Sequence, residues 1–593
     1  MCDHYFKQYF IFILFLFNYL IINAQQTGGY KINKIVYEKL QLKTKTTCLV
    51  LMVEQADVSA AKKMQSKEAR GHYVFNKLQE TAQRTQVNVI QIAKQANAHF
   101  IPFYVANAIM IEADLAVLEA IAELPEVKAI LPNLPIRSDF PVEMQADIPT
   151  KNIEDIEWGI RKIEADKLWE LGVNGAGVVV GGQDTGYEWD HPAIVHQYKG
   201  NRAGIVDHNY AWHDAIHEKH PENADTLNPC GFNSIVPCDD HSHGTHTVGT
   251  MVGYDGADNY IGVAPGAKWM GCRNMERGWG LPSTYIECFE WFLAPTDLSG
   301  NHPNPEKAPH VINNSWSCPD VEGCNPSNFE VMRLAVYNLR MAGIVVVVSA
   351  GNSGPDCNTI DTPSAIFSES FSVGASTPAD TIVRFSSRGV VNVDGSGRMK
   401  PNISAPGTSV RSCVLDSAYA SYSGTSMAGP HVVGAVALLI SAAPELAGRV
   451  ELIEEILEQT AIPLYSEQEC GGISGTIHPN NTAGWGRIDL LKALSVVRPD
   501  LVNGLQKGSY DIRIFPNPND GHFMVVTPED MGPTIIKAYN AVGQEVLYKK
   551  VNFTRVQQID LGELPNGMYL ISFMPESNPK GIFTAKIVKR SNP

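Results

Sequence analysis

Short apolar runs that end in small polar residues recur through the middle of the chain, between about residues 157 and 498. The clearest are GVVVGGQDTG (177–186), HVINNSWS (310–317), GIVVVVSAGN (343–352) and FSVGAS (371–376). Helical patterns such as SNFEVMRLAVYNLRMAG (327–343) lie between them. Continuous β-branched runs are typical of strands buried on both faces of a parallel sheet. We therefore predict an α/β region whose functional residues gather at the carboxyl ends of its strands.

A second pattern precedes this region. TCLVLMVE (47–54) and FIPFYVANAIMIEAD (100–114) have the character of strands, and LAVLEAIAEL (115–124) has that of a helix. Strands that alternate with helices in so short a segment predict a small α+β module that ends near Phe140. The following residues, 138–155, are acidic, contain proline and lack apolar periodicity, which predicts an exposed linker.

After about Pro499 the helical pattern fades. YDIRIFPNPNDGHFMVV, IIKAYNAVGQEVLYKK and QIDLGELPNGMYLISF contain short strand-like runs separated by Asn-Asp-Gly, Val-Gly and Asn-Gly turns. This arrangement predicts a small C-terminal β-sandwich. We find no internal repeat.

The first 24 residues have the pattern of a secretory signal peptide. Lys7 precedes an apolar stretch from Tyr9 to Ile22, and the small residue Ala24 marks the predicted cleavage site. A membrane anchor is the alternative, but the stretch is shorter than the roughly 20 residues that span a bilayer. We expect no later segment to be long and apolar enough to cross a membrane.

Composition narrows the class of protein. The chain has 593 residues, of which 44% are hydrophobic, and a formal net charge of −16. These values are typical of a soluble globular protein of several domains. The acidic balance argues against nucleic-acid binding, because no basic stripe is present to neutralise phosphates.

The eleven cysteines fit an oxidising destination. Cys2 lies in the signal peptide and Cys48 in the first module; the nine others stand at positions 230, 238, 272, 288, 318, 324, 357, 413 and 470. Pairing 230 with 238, or 318 with 324, would close short loops, but the sequence does not fix the connectivity. Because nine is odd, at least one thiol stays free or pairs elsewhere.

Candidate chemistry stands in three places. Asp184 follows a predicted strand, and His243 lies in DDHSHGTHTVGTM (239–251). Ser426 lies in YSGTSMAGPHVVGAVALLI (422–440), where small residues surround it and a helix is predicted to start, with Pro430 near its first turn. The small residues suit a tightly packed helix start. They equally suit a nucleophile with open access that faces the positive end of a helix dipole.

The histidine-rich segment has a second interpretation. His241, His243 and His246, with Asp239, Asp240 and Cys238, have the ligand types of a zinc site. The competing interpretation takes His243 as a general base, with Asp184 orienting its ring. The rest of the chain decides between the two.

Asp-Thr-Gly, His-Gly-Thr-His and Gly-Thr-Ser-Met-Ala follow one another in the order Asp, His, Ser. With APGAKW (264–269), SAGNSGP (349–355), SAPGTSV (404–410) and GWGRIDLLKAL (484–494), they make residues 157–498 resemble the subtilisin family of serine proteases. Stretches such as VGTMVGYDGADNYIGVAPGAKW and SWSCPDVEGC resemble its bacillopeptidase F-like members. The resemblance implies the subtilisin-like α/β fold, a parallel sheet flanked by helices.

The resemblance also implies roles for individual residues. Ser426 would be the nucleophile, His243 the general base and Asp184 the residue that orients it, while Asn352 would donate to the oxyanion. The implied substrate-binding residues are Ser315, Trp316, Ser317, Ser349, Ala350, Gly351, Gly278, Trp279 and Gly280. His246 and His431 would be structural. The chemistry would need no cofactor; structural calcium is common in the family, and we identify no ligand set for it.

The flanking regions carry resemblances of their own. FYVANAIMIEADLAVLEAIAELPEVKAILPNLPI (103–136) resembles the inhibitory propeptide of subtilisins, which assists folding and is removed by the enzyme itself. Residues 25–140 would then be this propeptide; an N-terminal domain that is retained is the alternative. Residues 141–156 would form the linker and 157–500 the catalytic domain. Residues 506–593 resemble a type A sorting domain of the type IX secretion system, which implies export across the outer membrane of a Gram-negative, Bacteroidetes-like bacterium. A simple adhesive β-sandwich is the alternative there.

Three functions compete. The first is a secreted or cell-surface serine endopeptidase that acts on proteins or peptides, with its propeptide and the secretion machinery as further partners. The second uses the same residues for peptide ligation or another acyl transfer, which requires water to be excluded from the acyl-enzyme. The third is a catalytically silent adhesin on a protease scaffold. The joint presence of Asp184, His243, Asn352 and Ser426 favours the endopeptidase.

Overall fold

The fold is that of a computed structural model. It describes residues 31–134, 136–137, 142–144, 156–223, 228–316, 326–502, 513–515, 517, 519–527, 530–540, 544–562, 564–576 and 583–590. The predicted signal peptide, residues 1–24, lies outside the described residues.

The N-terminal module is a four-stranded antiparallel sheet with helices, as the sequence pattern predicts. Its sheet order is β2-β3-β1-β4. Ser66 begins the longest helix by accepting a hydrogen bond from Ala69 N at 3.1 Å. The helices are α1 (Lys34–Leu42), α2 (Lys67–Thr85), α3 (Val87–Gln95) and α4 (Leu115–Ala122). The strands are β1 (Thr46–Met52), β2 (His99–Phe103), β3 (Ala108–Ala113) and β4 (Val127–Pro132), followed by β5 (Ile136–Arg137) and β6 (Val142–Met144).

The central domain is built on a seven-stranded sheet whose described pairs are all parallel, in the order β10-β11-β7-β14-β15-β16-β17. Its strands are β7 (Val179–Asp184), β10 (Trp212–Asp214), β11 (Lys268–Arg273), β14 (Val311–Asn314), β15 (Val345–Ser349), β16 (Phe371–Ser376) and β17 (Ile403–Pro406). Strands β14 to β17 are buried throughout, which explains their unbroken apolar sequences. The predicted α/β class is confirmed.

Helices pack on this sheet and short strands surround it. The helices are α5 (Trp158–Lys162), α6 (Ala165–Glu170), α7 (His243–Val252), α8 (Pro282–Leu293), α9 (Pro326–Met341), α10 (Thr425–Ala442), α11 (Val450–Thr460), α12 (Leu490–Val497) and α13 (Pro499–Val502). The short strands are β8 (Asn201–Arg202), β9 (Ile205–Val206), β12 (Met275–Glu276), β13 (Trp279–Gly280), β18 (Val410–Val414), β19 (Ala418–Ser423), β20 (Glu469–Cys470) and β21 (Ile473–Ser474).

Helix α10 is the core helix of the central domain. By length and composition alone it could cross a membrane, so the expectation that no segment after the signal peptide could do so is wrong. Its 18-residue window is 94% buried inside the domain, which is the environment of a core helix. Pro430 is the sixth residue of this helix, directly after its first turn.

The predicted linker between the N-terminal module and the central domain contains regular structure. Strand β5 pairs antiparallel with β13, and β6 pairs antiparallel with β19. Residues 142–144 were predicted to belong to a linker without regular structure, and they form a strand because the edge strand β19 supplies hydrogen-bonding partners for their backbone. The linker residues 145–155 lie outside the described residues.

The C-terminal region is a two-sheet β structure, in agreement with the predicted sandwich. One sheet has the order β22-β23-β26 and the other β25-β24-β27-β28. A separate apolar core that includes Phe523, Ile536 and Ile571 belongs to this region. The strands are β22 (Arg513–Phe515), β23 (His522–Val526), β24 (Gly532–Tyr539), β25 (Glu545–Phe553), β26 (Val556–Asp560), β27 (Gly567–Pro575) and β28 (Phe583–Lys589).

The described cysteines form three disulfide bonds: Cys230–Cys238, Cys272–Cys288 and Cys357–Cys470. The first closes the short loop that the sequence analysis considers. Within the described residues Cys48 and Cys413 are free and buried. Cys318 and Cys324 lie outside the described residues.

Candidate active site

The carboxyl edge of the parallel sheet brings Asp184 and His243 together. Asp184 is the last residue of β7 and His243 is the first residue of α7. His243 Nδ1 lies 2.7 Å from Asp184 Oδ1, and both side chains are only 1% exposed. Asp184 Oδ1 also accepts a hydrogen bond from Thr185 N at 2.8 Å. The carboxylate therefore fixes the orientation of the imidazole ring inside the protein.

Ser426 is the second residue of helix α10 and is buried. Its Oγ lies 3.4 Å from the carbonyl oxygen of Ser315, to which it donates. In return, Ser315 Oγ donates to the carbonyl oxygen of Ser426 at 3.1 Å. That carbonyl has no helical partner because Pro430, four residues on, lacks an N–H group. Ser315 thus satisfies the carbonyl that the proline leaves open.

The small residues after Ser426 have a packing reason. A Cβ atom on Gly429 would lie 3.0 Å from Asn313 Oδ1, so the helix approaches strand β14 more closely than a side chain would permit. A Cβ on Gly434 would lie 2.5 Å from Val263 Cβ. For Gly429, the interpretation as a tightly packed helix start agrees with this close approach; Gly434 lies further along the helix. Access to Ser426 depends on the residues before it.

Asn352 follows β15 and faces the start of α10. Its Oδ1 accepts hydrogen bonds from Thr425 N at 2.9 Å and from Thr425 Oγ1 at 3.0 Å. Thr425 Oγ1 also accepts from Gly351 N at 3.3 Å. These contacts orient the amide group of Asn352, with its Nδ2 atom as donor. Thr425 was not singled out by the sequence analysis, although its place directly before Ser426 is a signal.

The other predicted substrate-binding residues fall into three groups, of which two lie at the ends of β14 and β15. Ser349 is the last residue of β15, and Ala350 and Gly351 follow it beside helix α10. Gly351 has φ +105°, a conformation that favours glycine. Ser315 and Trp316 follow β14. The Trp316 ring is 2% exposed and packs on Tyr285 with ring centroids 3.9 Å apart, so its side chain belongs to the core. Ser317 lies outside the described residues.

Gly278 lies in the turn between β12 and β13, and Trp279 and Gly280 form β13, the central strand of a small three-stranded sheet with the order β12-β13-β5. Trp279 is paired with Arg137, and Gly280 with Ile136. The predicted edge strand is therefore occupied by the chain that follows the N-terminal module. The Trp279 ring stacks on His220 at 5.5 Å between centroids.

The remaining histidines have structural contacts. His246 Nε2 lies 3.0 Å from Val410 O and 3.2 Å from Ala420 O, and burial lowers the pKa of His246 to about 3. His431 Nδ1 lies 2.8 Å from Met427 O, and burial lowers its pKa to about 4. Across the described part of the chain, no group of three or more His, Cys, Asp or Glu residues is arranged to hold a metal ion.

The N-terminal module contacts helix α8 at both of its ends. At the start, Asn133 Nδ2 donates to Ser283 Oγ at 2.9 Å, and Ser283 N donates to Asn133 Oδ1 at 3.0 Å. Near the end, Glu290 Oε2 accepts hydrogen bonds from the backbone N–H groups of Tyr104 and Val105 at 2.6 and 2.8 Å. Burial raises the pKa of Glu290 to about 8, against the opposing effect of these hydrogen bonds. The sequence analysis named none of these residues.

Two buried cations of the module complete this interface. Lys67 Nζ donates to Ala308 O at 2.9 Å, and Arg70 Nη1 donates to Gly448 O at 2.7 Å. Burial lowers the pKa of Lys67 to about 8. The central domain also donates a hydrogen bond to the module, from Asn338 of helix α9 to Val105 O at 2.7 Å. Buried polar groups that form hydrogen bonds between two units favour one docked arrangement.

Comparison with known families gives two matches along the chain. Residues 175–486 match the model of the subtilase family, described as Peptidase_S8. Residues 513–590 match the model of the secretion system C-terminal sorting domain. The first range contains Asp184, His243, Asn352 and Ser426. The second contains all seven strands of the C-terminal region.

Similar individual proteins are bacterial proteases. Bacillopeptidase F of Bacillus subtilis (strain 168) is 35% identical over 504 residues, which cover 79% of this chain and 33% of that protein. Serine protease AprX of the same strain is 31% identical over 42% of this chain and 58% of that protein. Subtilisin DY of Bacillus licheniformis is 30% identical over 49% of this chain and 87% of that protein. The match thus spans about a third of the length of bacillopeptidase F.

Proposed function

The chain belongs to the subtilase family, and we propose that it is a serine endopeptidase that hydrolyses peptide bonds through Asp184, His243 and Ser426. The contact that carries this proposal is the buried 2.7 Å pair of His243 Nδ1 and Asp184 Oδ1. A buried carboxylate on Nδ1 fixes the tautomer in which Nε2 accepts a proton. The proximity of Ser426, at the start of the core helix, to the ends of β14 and β15 supports its role as the nucleophile.

The reaction would proceed in two stages. Ser426 Oγ attacks the substrate carbonyl while His243 takes its proton, and His243 then gives that proton to the leaving amine. Water repeats the sequence on the acyl-enzyme and releases the second product. Asp184 stabilises the imidazolium form of His243 in both stages.

The negative charge that develops on the carbonyl oxygen requires donors. We assign this role to Asn352 Nδ2 and Ser426 N. The two hydrogen bonds from Thr425 to Asn352 Oδ1 support the assignment, because they orient the amide before substrate arrives. The N-terminus of α10 adds the positive end of a helix dipole.

Substrate would bind as an added strand along β13, with Gly278, Trp279 and Gly280 facing its backbone. The pairing of β13 with β5 supports this mode, because a segment of the chain itself already uses that edge. Ser315 and the Ser349–Gly351 segment would form walls of the pocket for the residue before the scissile bond. Trp316 and Ser317 would complete it, Trp316 through its backbone.

The N-terminal module, residues 25–140, would be an inhibitory propeptide that the enzyme removes. The contacts of Asn133 and of Tyr104 and Val105 with helix α8 support a docked inhibitor. Strand β5 pairs with β13, and β6 pairs with Tyr422 and Ser423 just before Ser426. These two pairings would hold both ends of the segment between β5 and β6, one at the proposed substrate-binding strand and one beside Ser426, so we place the cleaved bond between Arg137 and Val142.

Residues 506–593 would direct the protein through the type IX secretion system to the cell surface or the medium of a Bacteroidetes-like bacterium. The sorting-domain match and the separate core of the C-terminal sandwich support this proposal. Whether the enzyme stays at the surface depends on later cleavage.

The deciding experiment compares the wild-type chain with Ser426→Ala, each followed by mass spectrometry after purification. We expect wild type to lose a fragment whose new end lies between Arg137 and Val142, and the variant to remain whole. Wild type should also react with a serine-directed fluorophosphonate. A wild-type chain that neither shortens nor reacts would overturn the proposed function and leave the silent scaffold in its place.

A further inference from the structure

The carboxylate of Asp239 is a buried group that the proposed mechanism does not use. It is 5% exposed and accepts five hydrogen bonds. Oδ1 accepts from Thr185 Oγ1 at 2.8 Å, His241 N at 2.9 Å and Ser242 N at 3.1 Å. Oδ2 accepts from Thr245 N at 3.0 Å and Thr245 Oγ1 at 2.6 Å. Five donors on one buried carboxylate form a rigid junction.

This junction joins the two elements that carry Asp184 and His243. Thr185 directly follows Asp184 at the end of β7. Its hydroxyl donates to Asp239 and accepts a hydrogen bond from Gly244 N, next to His243, at 3.1 Å. The backbones meet closely here, because a Cβ on Gly244 would lie 2.1 Å from Gly186 O. A displacement of either element must therefore break contacts with Asp239 or Thr185.

Asp239 also sets where helix α7 begins. Ser242 occupies the N-cap position with φ +72°, and its side chain makes no capping hydrogen bond. The left-handed conformation is strained for a residue with a side chain. Asp239 performs the capping instead, through the N–H of Ser242 and the N–H of Thr245 in the first turn. His243, the first helical residue, lies between these two anchored groups.

We propose that Asp239 is a positioning residue of the active site, which holds the Asp184–His243 pair in one geometry through Thr185 and the first turn of α7. The inference rests on the proposed hydrolysis by Ser426. In this proposal Asp239, which lies in the histidine-rich segment, has a positioning role and is not a metal ligand. Small displacements of a general base lower the rate of the chemical step more than they weaken substrate binding.

The test uses the full-length chain and single substitutions at both ends of the junction. Asp239→Asn keeps the shape but turns an NH₂ group towards N–H donors, and Thr185→Val removes the bridging hydroxyl. We expect each to lower kcat by roughly 10- to 100-fold with KM changed by less than about two-fold. Thr185→Ser restores the hydroxyl and should keep kcat near that of wild type. Activities are expressed per active site titrated with fluorophosphonate, so that a smaller amount of folded protein does not lower the measured kcat.

The matched control is Asp489→Asn. Asp489 is a 6% exposed aspartate that caps helix α12 through Lys492 N at 2.9 Å, in a motif outside the proposed machinery. The Asp489→Asn variant should be less stable than wild type, because a helix cap is removed, and its kcat should stay unchanged. Unchanged kcat in both Asp239→Asn and Thr185→Val would overturn the inference, as would a fall in kcat for Asp489→Asn as large as theirs. A wild-type chain without activity or fluorophosphonate reaction would instead overturn the proposed function, and this inference with it.

Discussion

The N-terminal module and the C-terminal sandwich both flank the central domain, but they bury their sheets differently. In the module, alternate residues of β1 face opposite cores. Cys48, Val50 and Met52 pack on the module's own helices. Leu49 and Leu51, with Ala108 and Met110 of β3, pack in one core with residues of helices α8 and α9. One face of this sheet therefore lies in a core that the module's helix α2, through Val74 and Leu78, and the central domain build together.

The sandwich completes its core with its own two sheets. Phe523 of one sheet and Ile536, Ile571 and Phe573 of the other lie in a core that contains residues of the C-terminal region alone. Among the described residues, its three-stranded sheet also contacts the central domain, where Phe515 and Val526 join the core of that domain and Met524 and Val556 pack against it.

The difference indicates two kinds of accessory domain. A unit that builds a core jointly with its partner covers apolar surface of that partner. A unit with a closed core folds by itself and can be removed with little effect on its neighbour. The following predictions test this contrast, in order of decreasing effect.

Deleting each flanking unit in turn should give the largest difference between them. Without residues 25–140, the yield of fluorophosphonate-reactive protein should fall by roughly 100-fold or more, since folding of the central domain loses the unit that covers it. Without residues 506–593 the yield should change by less than about three-fold when export is bypassed. The contrast fails if the two deletions lower the yield equally.

Single substitutions on the two faces of β1 give a finer comparison. Leu51→Ala removes a side chain that is 1% exposed and packs on the central domain. Added in trans, the purified module carrying it should inhibit the mature enzyme with a Ki raised by roughly 30-fold or more. Val50→Ala on the opposite face should lower the module's melting temperature but leave the Ki per folded molecule near that of wild type. Equal effects on Ki would contradict a two-faced sheet.

The pH dependence of that inhibition should show a minimum in affinity. Glu290 has a pKa of about 8 in the docked state against an ordinary 4.5, so docking takes up a proton and affinity falls as pH rises from 4.5 to 8. Lys67 has a pKa of about 8 against an ordinary 10.5, so docking releases a proton and affinity rises from pH 8 to 10.5. Inhibition should therefore be weakest near pH 8.

Two variants test which residue causes each part of this pH dependence. Glu290→Gln should remove the fall in affinity between pH 4.5 and 8, and Lys67→Met should remove the rise in affinity above pH 8. A Ki that is independent of pH in the wild-type pair would refute both assignments. The mature enzyme's activity on a peptide substrate, measured over the same range, serves as the reference.

A substitution in the core of the sandwich should have the smallest effect on activity. Ile571→Ala opens a cavity in its closed core and should destabilise that domain by about 2–5 kcal/mol. Calorimetry should show an earlier transition for the sandwich, while kcat on a peptide substrate stays unchanged. A parallel fall in kcat would mean that the two domains are energetically coupled.

Much of the candidate site could be predicted from the sequence. The order of the Asp, His and Ser motifs identified Asp184, His243 and Ser426, and strand ends placed polar residues at one edge of a parallel sheet. The interface residues Glu290, Lys67 and Asn133 could not be found this way, because their partners lie far away in the chain and no local pattern marks them. Asp239 was weighed only as a metal ligand, since its capping partners become evident only when the turn at Ser242 is known.

By itself, the sequence determined the α/β class, the C-terminal sandwich and the identity of the motifs, because these depend on periodicities and spacings within short segments. The tertiary structure decided that Trp316 lies in the core, that residues 142–144 form a strand and that an apolar helix of near-membrane length is buried. It also decided that Pro430 is tolerated through the hydroxyl of Ser315. Each of these depends on which distant surface covers a segment, and burial by a distant partner leaves no periodic signal in the sequence.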